Sequence, residues 1–196
     1  MDLYLIRHGK SEANAAGTHS GWSPVDLTEE GIREVTAARR LLEGICFERI
    51  YVSDVRRAQQ TAGILFPDRE YIFCPLIREL NNTAMRGKTA EEMLALFPDL
   101  YPEARRAFDY ACLGLDCESG PHLRARAAEF LAMVQSEEPI RFAAVCHGGF
   151  IRACAAEVLS APTHNPPMDC HNASVNILSF RKGYWRISGW NLRADE

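Results

Sequence analysis

Along the chain, short apolar runs alternate with amphipathic stretches. Met1-Asp-Leu-Tyr-Leu-Ile6 is rich in strand formers and is cut off by Arg7-His8-Gly9, the pattern of a buried strand running into a loop. Thr28 is placed to cap a helix whose first turn holds Glu29 and Glu30, with Ile32, Val35, Leu41 and Leu42 on one face before Gly44 ends it. Ile50-Tyr51-Val52 predicts a second strand, with Ser53 and Asp54 as capping residues of a helix through about Leu65, and Tyr71-Ile-Phe-Cys74 a third strand. The segment from Thr89 to Gln135 reads as helical hairpins, opened by a capping box Thr89-x-x-Glu92 and punctuated by Pro98, Pro102, Gly114 and Gly120-Pro121. Ile140-Arg-Phe-Ala-Ala-Val-Cys146 is a fourth strand, and His147-Gly148-Gly149 opens a helix through about Leu159. Two last strands, Ser174 to Phe180 and Tyr184 to Trp190, join at a turn on Lys182-Gly183. The alternation predicts an α/β three-layer sandwich: a mostly parallel central sheet with helices on both faces. It forms one domain over residues 1–196, with a helical, cap-like insertion at about 80–120.

Composition narrows the class. A chain of 196 residues, 47% hydrophobic and 24% charged, has the make-up of a globular domain. At this size roughly 70% of the unfolded surface is removed on folding, enough for a core without disulfides or a structural metal. Lys plus Arg is 22 against 26 Asp plus Glu, a net charge of −4, so a nucleic-acid or membrane-surface partner is not expected. No apolar run approaches the roughly 20 residues of a membrane span. Met-Asp-Leu-Tyr-Leu-Ile-Arg-His-Gly-Lys puts charges where a signal peptide needs its apolar stretch. The seven cysteines are odd in number and include no C-x-x-C pair, which fits reduced thiols in the cytoplasm.

The candidate chemistry sits where the predicted strands end. In an open parallel sheet, ligands bind beyond the carboxyl ends of the strands. There the first strand offers Arg7-His8-Gly9, the second Ser53 with Arg56 and Arg57, the third Arg78-Glu79, and the fourth His147-Gly148-Gly149. Arginines present forked donors to phosphate oxygens, and a Gly-rich helix start at Gly148 can offer N–H groups to the same anion. Each piece alone is ordinary: a lone His after a strand is usually a hydrogen-bonded loop residue, an Arg pair a solvated face, and paired glycines a packing device. Two histidines and two arginines at adjacent strand ends together predict a phosphate pocket.

These residues resemble the histidine phosphatases, the phosphoglycerate mutase superfamily. Leu5-Ile-Arg-His-Gly9 with Ser11 and Asn14 is similar to the family signature, and Ser20-Gly-Trp22 followed by Asp26-Leu-Thr28 and Gly31 to the stretch bordering the substrate. Ser53-x-x-x-Arg57-Ala-x-Gln60-Thr-Ala62 resembles the second motif and Arg78-Glu79-Leu80 the acid motif. Glu118-Ser119 with Leu123-Arg-Ala-Arg126 resembles a structural motif, Val145-x-His147-Gly-Gly-x-Ile-Arg152 the last motif, and Asn172-Ala-Ser-Val175 the final strand entry. The resemblance covers nearly the whole chain, in order. It departs from the family at Thr83, Met85 and Arg86, within Asn81-Asn-Thr-Ala-Met-Arg-Gly87, where relatives often carry glycine, tryptophan and glutamate. It departs also at Thr18, at Cys117, and in lacking the basic insertion of cofactor-dependent mutases.

The resemblance implies a phosphomonoester hydrolase that works through a phosphohistidine on a small phosphorylated metabolite. His8 would be the nucleophile and Arg7, Arg57 and His147 the groups on the nonbridging oxygens. Glu79 would protonate the leaving oxygen and later assist water. Asn14, Ser20, Gly21, Gly148 and Arg86 would bind substrate. The scheme uses no metal and no cofactor. A mutase-type phosphotransferase is the alternative, favoured by Ser20-Gly21-Trp22 and opposed by the missing insertion. Opposed too is the acidity of Thr89 to Gly120, which holds Glu91, Glu92, Asp99, Glu103, Asp109, Asp116 and Glu118. A weakly active phosphate-binding regulatory module is a second alternative, and a zinc site on His164, Cys170 and His171 with Cys146 a third; zinc ligands normally show tighter pairing, and Asn165-Pro-Pro167 reads as a surface loop. Cys146, at the end of an apolar strand, reads as a buried inert thiol, and Arg105-Arg106 as a solvated helix face. An exposed edge strand leaves a homodimer open.

Overall fold

The computed structural model describes residues 1–137, 140–161 and 167–194. In chain order these form β1 (Asp2–Arg7), α1 (Glu12–Ala16), α2 (Glu29–Ala38), β2 (Arg49–Val52), α3 (Arg56–Leu65) and β3 (Ile72–Phe73). There follow α4 (Ala90–Leu96), α5 (Tyr101–Ala107), α6 (Gly120–Gln135), β4 (Arg141–Cys146), α7 (Gly148–Val158), β5 (Val175–Arg181) and β6 (Tyr184–Leu192). The sheet order is β3-β2-β4-β1-β5-β6. β3, β2, β4 and β1 are mutually parallel and β5 and β6 are added antiparallel, so the predicted α/β sandwich carries an antiparallel flank on its parallel sheet.

Alternation along β1 sorts the core. Leu3 and Leu5 face a layer with Phe142, Ala144, Phe130, Phe150 and Leu123, which packs α6 and α7 against the sheet. Ile6 faces the opposite layer with Val35, Ala58, Ala62, Ile50 and Val52, which packs α2 and α3. Each fully buried Leu or Phe contributes about 1.5–3 kcal/mol relative to exposure. Helices therefore cover both faces.

Two local expectations change. Ile32 is half exposed, because the buried line runs through Gly31, Val35 and Ala38 of α2 and on to Leu42 in the 3₁₀ turn that follows, one residue out of phase. A Cβ on Gly31 would lie 2.1 Å from the Lys10 carbonyl oxygen, so the helix seats on this residue and turns Ile32 outward. α3 starts later than expected, at Arg56, with Val55 as its N-cap and no side-chain cap. Ser53 Oγ lies instead 2.8 Å from His147 Nε2, and Asp54 accepts a forked pair of hydrogen bonds from Arg78. The capping boxes at Ser11 and Thr89 and the Thr28 cap form in full.

Register sets the site. β1 pairs with β4 so that Arg7 lies opposite Cys146, and β2 with β4 so that Val52 lies opposite Val145. The residues that follow, His8, His147 and Ser53, emerge side by side at the carboxyl end of the parallel strands. Between β3 and α6 the chain runs through short helices. This stretch is tied to the Thr18–Trp22 loop by a Thr18–Thr89 bridge and by His19–Lys88 and His19–Gly87 backbone bonds.

Candidate active site

His8 is almost fully buried and its backbone is fixed. Its carbonyl accepts from the Asn172 side chain and the Ala173 N–H, both at 3.1 Å. The ring Nδ1 lies 2.7 Å from the Gly9 carbonyl, which can only accept, and Nε2 lies 3.1 Å from Arg57 Nε, which can only donate. The partners therefore fix the tautomer: Nδ1 carries the proton and Nε2 holds a lone pair. Burial first, then the Arg57 and Arg7 charges, hold this imidazole well below the ordinary histidine pKa.

Around that lone pair stand the cations. Arg57 also reaches the Gly21 carbonyl at 2.9 Å, and burial brings its pKa down to about 10, still charged at neutral pH. Gly21 must be glycine, since its φ is +51° and a Cβ would meet Thr83 N and Oγ1 at 2.6 Å. Arg7 donates to the Cys170 carbonyl, while its buried Nε has no partner. His147 packs beside His8, ring centroids 5.1 Å apart, with Nε2 on Ser53 and a buried, unpartnered Nδ1. Burial and then Arg57 hold it, too, well below the ordinary value.

Glu79 closes the opposite wall. Its Oε1 accepts from Leu80 N at 2.9 Å and its Oε2 from Gly149 N at 3.1 Å, at the start of α7. A Cβ on Gly149 would lie 2.1 Å from Oε1, so this glycine admits the carboxylate. Asn14 Oδ1 is occupied by Ser11 and Asn172, which turns its amide nitrogen into the available donor.

A pocket of about 170 Å³ gathers Arg7, His8, Asn14, Ser20, Gly21, Arg57 and Glu79. Of the expected residues, His147 is fully buried beside His8 and does not itself line this pocket, and two further expected binders lie elsewhere. Gly148 packs beneath Arg7, a Cβ there meeting Arg7 Nε at 3.2 Å, and the neighbouring Gly149 N–H is already given to Glu79. The helix start thus serves the side chains around the pocket rather than an anion directly. Arg86 lines a separate groove with Trp22, Pro24 and Asp116, because the 3₁₀ turn at Thr83–Met85 points the chain away. In exchange the pocket gains Thr18, His19, Leu80, Asn82, Phe108, Tyr110 and Arg152. Of these Leu80 and Arg152 carried a sequence signal, inside the acid motif and the last motif, and Thr18 and Asn82 stood out only as departures from the family pattern; His19, Phe108 and Tyr110 come from stretches with no period to read.

Among the described residues no group of three or more His, Cys, Asp or Glu is placed to hold a metal ion. His164 and the Asn165–Pro166 part of the expected loop lie outside the described residues. His171 is held by Asn191, and Cys146 is fully buried, its thiol pushed well up by burial. No helix among the described residues is long and apolar enough to cross a membrane.

The family model of the histidine phosphatase superfamily (branch 1) matches residues 3–193. Over 81 residues the chain is 41% identical to an adenosylcobalamin/alpha-ribazole phosphatase of Escherichia coli, covering 41% of this chain and 39% of that one. Over 200 residues it is 28% identical to a metal-independent phosphoserine phosphatase of Arabidopsis thaliana, covering 97% of this chain and 81% of that one. The structure of a mycobacterial glucosyl-3-phosphoglycerate phosphatase in complex with VO3 matches with a TM-score of 0.87 at 29% identity, over 97% of this chain and 98% of that one. The match to the first relative thus spans about two-fifths of its length, and the other two extend over most of theirs. The motif residues at the strand ends, the three-layer fold and the match over residues 3–193 converge: the chain belongs to the histidine phosphatase superfamily.

Proposed function

We propose that the protein is a phosphoric monoester hydrolase acting on a small phosphorylated metabolite through a phosphohistidine on His8. The observation that carries this is the tautomer of His8, with a neutral Nε2 lone pair set among Arg57, Arg7 and the Glu79 carboxyl. In the free enzyme Arg57 Nε donates to that lone pair. An arriving phosphoryl dianion takes the donor over, which frees Nε2 to attack phosphorus in line. The bond from phosphorus to the leaving oxygen breaks, and Glu79 gives that oxygen a proton. Arg7 Nε and His147 Nδ1, buried without partners, are the donors left for nonbridging oxygens, and Asn14 adds a neutral one. Water then attacks the phosphohistidine, losing a proton to Glu79. The P–N bond breaks and its electron pair returns to Nε2, while Nδ1–H···O=C of Gly9 steadies the ring throughout.

The relatives' activities support hydrolysis, since those described above are all phosphatases by name. The odd cysteine count supports a cytoplasmic location, and the net charge of −4 argues against a nucleic-acid partner. Rapid quench with labelled p-nitrophenyl phosphate is expected to trap a phosphoenzyme that is base-stable and acid-labile, and absent in His8→Ala. A phosphoenzyme that survives acid, or that persists in His8→Ala, would remove His8 from this role.

A further inference from the structure

The phosphoryl group leaves one wall of the pocket unaccounted for, the wall of Asn82, Phe108, Tyr110 and Arg152. Arg152 rises from the second turn of α7, its guanidinium 5.6 Å from the centroid of the Phe108 ring. It has no ion pair or hydrogen bond among the described residues. Asn82 is only 9% exposed. Its Nδ2 donates to His19 Nδ1 at 3.0 Å, and His19 Nε2 in turn meets the Tyr101 hydroxyl at 2.9 Å. Its enclosed Oδ1 accepts nothing. A buried carbonyl oxygen without a donor is costly, and a ligand that brings one recovers that cost.

Charge points the same way. Arg7, Arg57 and Arg152 bring three positive charges to the pocket, and a phosphomonoester dianion matches two. Glu79 faces Arg7 and Arg57, while the third, Arg152, has no carboxylate at ion-pair distance among the described residues. It lies beside Phe108 and Tyr110, outside the cluster of His8, Arg57 and His147. A volume of about 170 Å³ is below the roughly 300–1,000 Å³ of drug-sized ligand sites, so the leaving group is small.

We propose that Arg152 and Asn82 are specificity-determining residues. They select small phosphomonoesters whose alcohol carries a carboxylate for Arg152 and a hydrogen-bond donor for Asn82 Oδ1, the chemistry of a phosphorylated hydroxy acid or hydroxy amino acid. This rests on the phosphatase reading above and extends it to the leaving group. It also gives a use to the loop from Asn81 to Arg86, which departs from the family pattern and delivers the Asn82 amide to the pocket.

The test is a panel of phosphomonoesters read as ratios of kcat/KM. Ethyl phosphate offers neither group, phosphoglycolate the carboxylate, glycerol 3-phosphate the donor, and O-phosphoserine and 3-phosphoglycerate both. The wild-type enzyme is expected to prefer one of the last two over ethyl phosphate by a hundredfold or more, and which one leads tells whether the donor is an ammonium or a hydroxyl. Arg152→Met is expected to cut the phosphoglycolate-to-ethyl phosphate ratio tenfold or more, and Asn82→Leu the glycerol 3-phosphate-to-ethyl phosphate ratio about tenfold. Ratios cancel a general loss through misfolding or a displaced phosphate site. A flat wild-type panel, or a ratio unmoved by its variant, overturns the proposal. Hydrolysis of p-nitrophenyl phosphate keeps the two readings apart. If His8-dependent turnover of it is missing, the phosphatase reading fails, and the same ratios are then taken from calorimetric Kd values, where a flat series overturns the subsite as well.

Discussion

Glu79 and Gly149 form a unit at the residue scale. The carboxylate takes an N–H from Gly149 and sits where any side chain at 149 would stand, so its position depends on an atom that is absent. If Glu79 gives a proton to the leaving oxygen, its worth depends on how badly that oxygen needs one. Glu79→Gln keeps the shape and removes the proton, and is expected to cost roughly 10²-fold or more in kcat/KM on an alkyl phosphate. The cost on p-nitrophenyl phosphate is expected to be much smaller, because that phenolate departs unaided. Equal losses on both substrates would make Glu79 a packing residue. Gly149→Ala, which pushes the carboxylate rather than removing it, is expected to show the same leaving-group dependence.

At the element scale the acid loop is held by a helix remote from the chemistry. Arg126 of α6 donates to the Leu76, Arg78 and Glu79 carbonyls and in a forked pair to Glu118. Glu118 accepts from the Asn81 N–H at 2.9 Å, and Trp22 Nε1 donates to the Glu79 carbonyl at 2.7 Å. Removing one partner of a buried ion pair typically costs about 3–5 kcal/mol, because the other charge is left bare. Arg126→Met is therefore expected to lower the unfolding free energy measured by urea titration by about that amount and to slow alkyl phosphates more than p-nitrophenyl phosphate. Retained leaving-group selectivity in a folded Arg126→Met would show that the loop holds itself. The six strands and the helices flanking them were legible because apolar period and caps act locally, and His8, Arg57, Glu79 and His147 because their strand ends lie together in any parallel sheet. His19, Asn82, Phe108 and Tyr110 were not legible. They reach the pocket from irregular segments joined by long-range bonds such as His19 to Tyr101, 82 residues away, which leave no periodic trace. Arg86 shows the converse, a cation at a plausible position turned away by a 3₁₀ turn that its sequence did not signal.

For the whole molecule, the same burial that readies the site makes stability depend on pH. His8 and His147 are fully enclosed and held neutral by burial and by Arg57, their folded pKa values well below the roughly 6.5 of the unfolded chain. Below that value the unfolded chain takes up protons that the native state refuses, so ν_U exceeds ν_N and stability falls as pH falls. Two such groups give a slope approaching about 2.7 kcal/mol per pH unit beneath pH 6, continuing until the folded pKa values are reached. Glu118 adds to the loss at lower pH: burial pushes its carboxyl up, but Arg126, the Asn81 N–H and His122 outweigh that and leave it below the usual value. Its stabilisation is present above the unfolded carboxylate pKa and disappears as pH drops through the folded one. The histidine part is separable, because it sets in first. Urea unfolding at pH 7, 6 and 5 is expected to show a steep decline, to which His19, lowered by burial and by Arg105, also contributes, and His8→Gln, which cannot take up the proton in either state, is expected to reduce the slope between pH 6 and 5 by about 1.4 kcal/mol per pH unit. An unchanged slope in His8→Gln would mean that His8 is protonated in the native state at pH 5, and with that the neutral nucleophile would be lost from the mechanism.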